Sequence, residues 1–314
     1  MEYKKRILVT GGLGFIGKHF ISLQLANGHE VVNLDKLTYA ADKKIQTQFY
    51  GLDGYSFLHD DVAKMDAVVE CDVIVNFAAE THVDNSIKGS RHFTTANLVG
   101  VQNMLEHLRA TPVAHRPLFF QIGTDEVYGD SISRNFNEDD ILMPSNPYSS
   151  TKAAADMLIA AYQRTYGIDY KIVRMSNNFG ERQYPEKLVP RSIGRILRGQ
   201  KAQLQGDGLA RRTWLFVEDA VRAIDLIMRD GDINGIYNVG GFEELTNIEV
   251  VRKICDLLDV SFDNHVEFVN ERPGQDVRYG ITDEKIRALG WTPKVSFTEG
   301  LKRIIAATKQ DPHW

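Results

Sequence analysis

An α/β fold is predicted by three observations. Short runs of apolar and β-branched residues alternate with longer amphipathic segments from the start to about residue 175, the rhythm of a parallel sheet flanked by helices. A glycine-rich run, Gly11-Gly12-Leu13-Gly14-Phe15-Ile16-Gly17, follows the first apolar run directly. After Asn177 the alternation breaks down, then returns for one helix and one strand. Together these features predict a Rossmann-type doubly wound parallel sheet with a smaller, discontinuous α/β substrate domain.

Taken in order, Arg6 to Thr10 reads as the first strand, and a helix from Ile16 to Asn27 begins inside the glycine run. Glu30 to Leu34, Tyr55 to Leu58 and Val73 to Phe77 are the next strands, bounded by Gly, Asp and Asn. A helix is expected from Arg91 to Arg109, a strand from Leu118 to Ile122 and a helix from Tyr148 to Tyr166. In that last helix Ala154, Leu158, Ala161 and Tyr162 recur at helical spacing and form a stripe that packs on the sheet. Tyr170 to Val173 is a further strand, and Val217 to Arg229 with Gly235 to Val239 returns as helix and strand. Gly206-Asp207-Gly208 and Arg272 to Asp276 read as loops. The expected division is residues 1–175 plus 214–240 in the large domain and 176–213 plus 241–314 in the small one.

Composition narrows the function classes. With 43% hydrophobic and 25% charged residues the 314-residue chain has an ordinary globular balance. Its formal charge of -5 argues against a nucleic-acid backbone as partner, which would need a surplus of Lys and Arg. Cys71 and Cys255 are the only cysteines and lie far apart, so neither a zinc site nor a disulfide framework is expected. No apolar stretch approaches the roughly 20 residues needed to span a bilayer. The first strand opens close to the initiator, leaving no room for a targeting segment. A cytoplasmic protein without membrane or nucleic-acid partners is expected.

The glycine run sits between a strand and a helix, the context in which glycines let the backbone turn and approach a pyrophosphate at a helix N-terminus. Asp35, at the end of the second strand, is placed to accept hydrogen bonds from an adenosine ribose and to repel a 2′-phosphate. That favours NAD over NADP, with adjacent Lys36 pulling the other way. Tyr148 and Lys152 are four apart, so on a helix they share a face and the ammonium can stabilise a phenolate. To act as a base near neutrality the phenol must fall by about three pH units, ~4 kcal/mol of preferential stabilisation. Thr124, Asp125 and Glu126 follow a strand at its carboxyl end, the edge where open parallel sheets bind ligands. Taken alone, two such acids would more often cap a helix or face solvent. Beside a Tyr and Lys pair they suggest an acid and a base for a second reaction after an oxidation, most naturally loss of water.

At this point the chain resembles a known family, the extended short-chain dehydrogenase/reductases, and within it the nucleotide-sugar 4,6-dehydratases of the dTDP-glucose type. The glycine run carries the likeness, with Asp35-Lys36-Leu37-Thr38-Tyr39-Ala40, Ala78 to Asp84, Thr124 to Gly129, Ser176-Asn177-Asn178, Pro185 to Leu188, Val217-Glu218-Asp219 and Arg272-Pro273-Gly274. The adjacent Asp125 and Glu126 discriminate most, since the related epimerases lack the pair. The resemblance implies that Tyr148 takes the proton of a sugar 4-hydroxyl, with Lys152 beside it and Thr124 hydrogen-bonded to that hydroxyl. Hydride passes to NAD, Glu126 removes the carbon-5 proton and a protonated Asp125 donates to the departing 6-hydroxyl. It further implies cofactor contacts at Gly11, Gly14, Phe15, Ile16, Gly17, Asp35, Lys36, Leu37, Thr38, Phe77, Ala78, Ala79, Thr81 and Asn177, with Asp61 and Val62 at the adenine. For the substrate it implies Thr81, His82, Asn178, Lys187, Leu188, Gln203, Gln205, Arg212, Asn247 and Arg272, and no metal.

Three departures stand out. Gln203 and Gln205 occupy positions where the bacterial dTDP-glucose enzymes usually carry Pro and Tyr, which leaves the base open between thymine and uracil. Arg182 to Leu188 looks closer to the UDP-glucose 4,6-dehydratase branch, and Ala96 stands where the family commonly has Thr. The resemblance also implies a homodimer joined through the segments around Thr95 to Arg109 and Tyr148 to Tyr166. Epimerase or decarboxylase chemistry with the same Tyr and Lys is the near alternative, and a non-catalytic dinucleotide-binding scaffold the distant one.

Overall fold

The computed structural model describes residues 4–271 and 273–311. Its larger layer is a seven-stranded parallel sheet. Strands β1 (Arg6–Thr10), β2 (Glu30–Asp35), β3 (Tyr55–His59), β4 (Val73–Asn76), β5 (Leu118–Thr124) and β6 (Tyr170–Met175) are completed by a distant strand, Gly235–Val239, in the order Gly235–Val239, β6, β5, β4, β1, β2, β3. Every pairing is parallel, with Thr10 against Leu34 on one side and Asn76 on the other. The order reverses at β1, so the carboxyl ends of β1 and β4 diverge around a crevice. One buried cluster on the sheet is built from residues such as Ile7, Val9, Phe20, Val75 and Ile224, and another from Leu8, Ile74, Leu105, Phe119 and Ile159.

Local chemistry sets the helix that matters most. Asn146 caps Pro147–Tyr166 by accepting from the Ser149 amide at 3.0 Å, the Ser149 hydroxyl reciprocates, and Pro147 stands in the first turn. Gly167, left-handed at φ 66°, ends it. Tyr148 therefore lies in the first turn and Lys152 one turn later.

The second half of the chain holds elements that the broken alternation did not reveal. Strands β7 (Asn177–Phe179), β8 (Ala202–Gln205) and β9 (Arg211–Phe216) precede the returning strand, now β10; β11 (Glu243–Thr246), β12 (Val266–Val269) and β13 (Arg278–Tyr279) follow it. β9 takes β11 on one side antiparallel and pairs in parallel with β7 and β13; β8 pairs with β12. Helices Leu188–Leu197, Asn247–Leu258 and Phe297–Gln310 cover them around a core of Phe179, Trp214, Phe216, Ile254, Phe297 and Leu301. The division is less clean than the sequence predicts. Trp214 and Phe216 side with the small core, while Ile286 and Trp291 pack with the large one because helix Glu284–Ala288 lies against β10.

One predicted helix is interrupted. Arg91 to Arg109 is a four-residue α-turn, a π-helical segment Thr95–Val99 and the helix Gly100–Ala110. The extra residue of the π turn goes with buried Asn97, whose amide bonds the Glu80 carbonyl at 3.0 Å and the Thr151 hydroxyl at 2.9 Å. β4 ends one residue early, which leaves Phe77 at the crevice.

Candidate active site

A cleft of about 300 Å³ opens at the carboxyl ends of β1, β4, β5 and β6 and runs into a second hollow of about 170 Å³ walled by the small core. Thr81, Glu126, Asn177, Asn178, Gln183, Glu186 and Lys187 line both, so the two are continuous.

The floor of the first cleft is made by glycines. Gly11 is left-handed at φ 67°, and a Cβ there would meet Ala78 Cα and N at 2.7 Å; one at Gly17 would meet the Gly11 carbonyl at 2.7 Å. Gly14 caps the helix Phe15–Ala26 with no side chain over its amides, an arrangement that suits a pyrophosphate. Asp35 accepts from the Leu13 and Leu37 amides at 3.0 and 2.8 Å while its carboxylate borders the cleft. Burial pushes its pKa up, against those two amides. Ser176 Oγ and Asn177 Oδ1 line the same cleft, buried and without a hydrogen-bond partner. A glycine cradle, a ribose-height carboxylate and unsatisfied polar atoms fit a bound dinucleotide.

The reactive cluster sits where the clefts meet. Thr124 ends β5, and Asp125 to Tyr128 turn in a single 3-10 turn whose Glu126 amide donates to the Thr124 hydroxyl at 3.3 Å. Adjacent acids on that turn enter different surroundings. Asp125 is 3% exposed; its Oδ1 accepts from Thr124 at 3.4 Å and its Oδ2 has no partner. Burial first, then the neighbouring Glu126 charge, raise its pKa to about 8, with Arg212 opposing. Asp125 is therefore a protonated acid at neutral pH. Glu126 is half-buried, borders both hollows and accepts from the Tyr279 hydroxyl at 3.3 Å.

Tyr148 is buried within reach of the Thr124 hydroxyl, and burial followed by the Glu126 charge raises its pKa. Lys152 donates to the Ile122 carbonyl at 2.5 Å, and burial lowers its pKa to about 8. The lowering of the phenol expected from Lys152 is thus not delivered by the polypeptide alone: Lys152 Nζ is on the Ile122 carbonyl, and the dry environment and the Glu126 charge outweigh the Thr124 hydrogen bond.

Of the predicted cofactor contacts, Gly11, Gly14, Phe15, Ile16, Gly17, Asp35, Lys36, Thr38, Val62, Phe77, Ala78, Ala79, Thr81, Tyr148, Lys152 and Asn177 border the first cleft, as does Ala96. Leu37 and Asp61 do not. Leu37 is left-handed at φ 57° and packs on the core, and Asp61 turns to the Ala63 amide and to Lys36, leaving Asp60 at the rim. Thr81, His82, Asn178, Lys187, Leu188, Gln203, Gln205, Arg212 and Asn247 border the second hollow. Arg272 lies outside the described residues. Arg212 is buried with its guanidinium on the Arg211 and Asp276 carbonyls and on no carboxylate among the described residues, a cation available to an anion. Gln203 and Gln205 donate to Glu267 at 2.9 Å and to Asp84 at 3.2 Å. Sequence reasoning missed Glu80, Ser176, Tyr184, Glu186, Arg191, Gln275 and Tyr279 among the lining residues. Ser176 and Glu186 fall inside quoted motifs, whereas Tyr279 is 153 residues from Glu126 and carried no local signal.

A doubly wound sheet whose glycine cradle faces a buried Tyr, Lys and acid pair defines a dinucleotide-binding α/β protein with a second, anion-accepting hollow. The family model for GDP-mannose 4,6 dehydratase matches residues 8–304, and the chain belongs to that family. It is 44% identical to the low-salt glycan biosynthesis protein Agl12 of Haloferax volcanii, over 95% of this chain and 97% of that protein. A trifunctional UDP-glucose 4,6-dehydratase/UDP-4-keto-6-deoxy-D-glucose 3,5-epimerase/UDP-4-keto-L-rhamnose-reductase of Arabidopsis thaliana is 36% identical over 99% of this chain and 48% of its own length. Among solved structures, the dTDP-glucose 4,6-dehydratase DesIV of Streptomyces venezuelae, with NAD bound, superposes with a TM-score of 0.92 at 38% identity, covering 98% of both chains.

Proposed function

We propose that this protein dehydrates a nucleotide-linked glucose to its 4-keto-6-deoxy form, with NAD as a recycled cofactor. The observation that carries the reading is the unequal environment of Asp125 and Glu126, a protonated acid and a hydrogen-bonded carboxylate side by side at the mouth of a dinucleotide cradle. Family membership and the dehydratase relatives support it.

The glycine turn with the Phe15–Ala26 helix would hold the pyrophosphate, Asp35 the ribose and Asn177 the nicotinamide end. When bound, NAD would supply the hydride acceptor and donor for sugar carbons 4 and 6, and its cationic ring would offset charge at Tyr148. Tyr148 receives the 4-hydroxyl proton with Thr124 orienting that hydroxyl, and Lys152 holds the local charge. With carbon 4 a ketone, the carbon-5 proton becomes acidic and Glu126 takes it. Asp125 Oδ2 gives its proton to the 6-hydroxyl, which leaves as water, and once carbon 6 is reduced Glu126 returns a proton to carbon 5. Arg212 and Asn247 would take the diphosphate and nucleoside.

Both dTDP- and UDP-glucose chemistry occur among the relatives, and the hydrogen-bonding Gln203 and Gln205 suit either base. Parallel turnover with dTDP-glucose, UDP-glucose and UDP-N-acetylglucosamine, read by mass for loss of one water, tests the reading. Loss of water from none of them would refute it. We also propose a homodimer through the helices Gly100–Ala110 and Pro147–Tyr166, supported by the exposure of Val99, Met157 and Tyr166. Among the described residues no helix is long and apolar enough to cross a membrane.

A further inference from the structure

Glu126, having taken the carbon-5 proton, must return a proton to carbon 5 once carbon 6 has been reduced, so the product records whether Glu126 exchanged with solvent in between. A substrate filling the second hollow would cover the side of Glu126 that borders it. A second path to solvent exists inside the protein. The Tyr279 hydroxyl lies 3.3 Å from Glu126 Oε2 and 2.6 Å from Asp276 Oδ2. Asp276 is 3% exposed, and its other oxygen accepts a hydrogen bond from the hydroxyl of Ser145, which is exposed. Arg212 holds this row in place, its guanidinium 4.1 Å over the Tyr279 ring and donating to the Asp276 carbonyl at 2.9 Å.

A phenol has one proton to donate and an oxygen that can accept. Placed between two carboxylates, it can satisfy only one by donation, and it bonds the other as an acceptor when that other is protonated.

We propose that Tyr279 and Asp276 form a proton relay from Glu126 to solvent at Ser145. The relay rests on the dehydratase reading of the same site. In the step, protonated Glu126 Oε2 gives its proton to Tyr279 Oη while the Tyr279 O–H gives its own to Asp276 Oδ2. Two O–H bonds break and two form, Tyr279 ends as the phenol it began, and negative charge moves from Asp276 to Glu126. Nothing is oxidised or reduced. Asp276 exchanges that proton with water through the Ser145 hydroxyl, and the same two transfers in reverse bring a solvent proton back to Glu126 for delivery to carbon 5. Burial and the Glu126 charge both hold Tyr279 in its neutral form, which suits a group that passes a proton without becoming a phenolate.

The test is a single turnover of the NAD-loaded enzyme in deuterated water, with carbon-5 deuterium in the product read by mass and NMR. Wild type should place close to one deuterium at carbon 5. Tyr279→Phe and Asp276→Asn should each return the original proton and drop the label to about half or less, because the base keeps what it took. A carbon-5 deuterated substrate in ordinary water should give the mirror result, label lost by wild type and retained by both variants. The retention of label is a readout that mere loosening of the pocket does not produce, and either variant suffices if the other fails to fold. Full exchange in a folded variant that turns over would overturn the relay alone. Absence of a 4-keto-6-deoxy product from wild type would overturn the dehydratase reading and the relay with it.

Discussion

Asp125 and Glu126 are chemically similar neighbours, and position alone divides their labour. Asp125 is buried with one oxygen unpaired, and Glu126 faces the hollow with a phenol donating to it. Asp125→Asn should leave the first hydride transfer intact and block elimination, so that reduced cofactor accumulates by absorbance while product formation falls ~10²- to 10⁴-fold. The pH dependence follows from the direction of the shift. The Asp125 pKa is raised to about 8, so the acid form is fully present below its unfolded value and is lost as pH rises through about 8. Lys152, lowered by burial to about 8, loses its charge over the same range. The kcat/KM profile should therefore descend above pH ~8, and Asp125→Glu should shift that limb where a variant remote from the site does not. The identity of these residues was legible in the sequence through their place after a strand. The resemblance implied a protonated Asp125, but what holds the proton there was not legible, because it depends on what packs over the pair.

At the scale of elements, the glycine turn and the capped helix explain why the site is rigid. Gly11→Ala should force its Cβ against Ala78 at 2.7 Å in a left-handed conformation, costing ~1–3 kcal/mol and weakening dinucleotide binding, measurable by denaturant titration and by cofactor content. A second device joins the two walls of the first cleft. Asp42, fully buried, caps the helix Lys43–Phe49 and accepts from Lys18 at 3.0 Å and from Arg182 at 2.6 and 2.7 Å. Burial alone would raise its pKa, but Arg182, Lys18 and the Ile45 amide outweigh it and hold it down to about 2. Its stabilising contribution is present above the unfolded value near pH ~4 and is lost as pH falls through about 2. Asp42→Asn removes the carboxylate shared by buried Lys18 and half-buried Arg182 and should cost ~3 kcal/mol in urea unfolding. The inner strands β1, β4, β5 and β6 were readable because buried parallel strands are largely apolar runs, and edge strand β3 through its alternation of aromatic or apolar and polar residues. The helix around Thr95 was misread as unbroken because a π turn keeps the same composition, and the demand for it comes from Asn97 reaching Glu80 and Thr151.

Across the whole molecule, function depends on a cleft shared by two cores. β13 brings Tyr279 alongside β9, Asp276 just before it meets Arg212, and β9 brings Arg212 to the hollow that Glu126 borders. The same scale governs assembly. If helices Gly100–Ala110 and Pro147–Tyr166 pair with those of a second copy, Met157→Glu, at a side chain now 65% exposed, should convert a dimer to a monomer in light scattering. By itself the sequence determined the parallel sheet, the dinucleotide cradle and the adjacency of acid, base, Tyr and Lys, since these rest on local periodicity, glycine geometry and fixed spacing along one chain. Only the tertiary structure decided why Asp125 keeps its proton, where Lys152 points and which distant phenol meets Glu126. Desolvation and long-range contacts are properties of the packed whole, and no window of residues contains them.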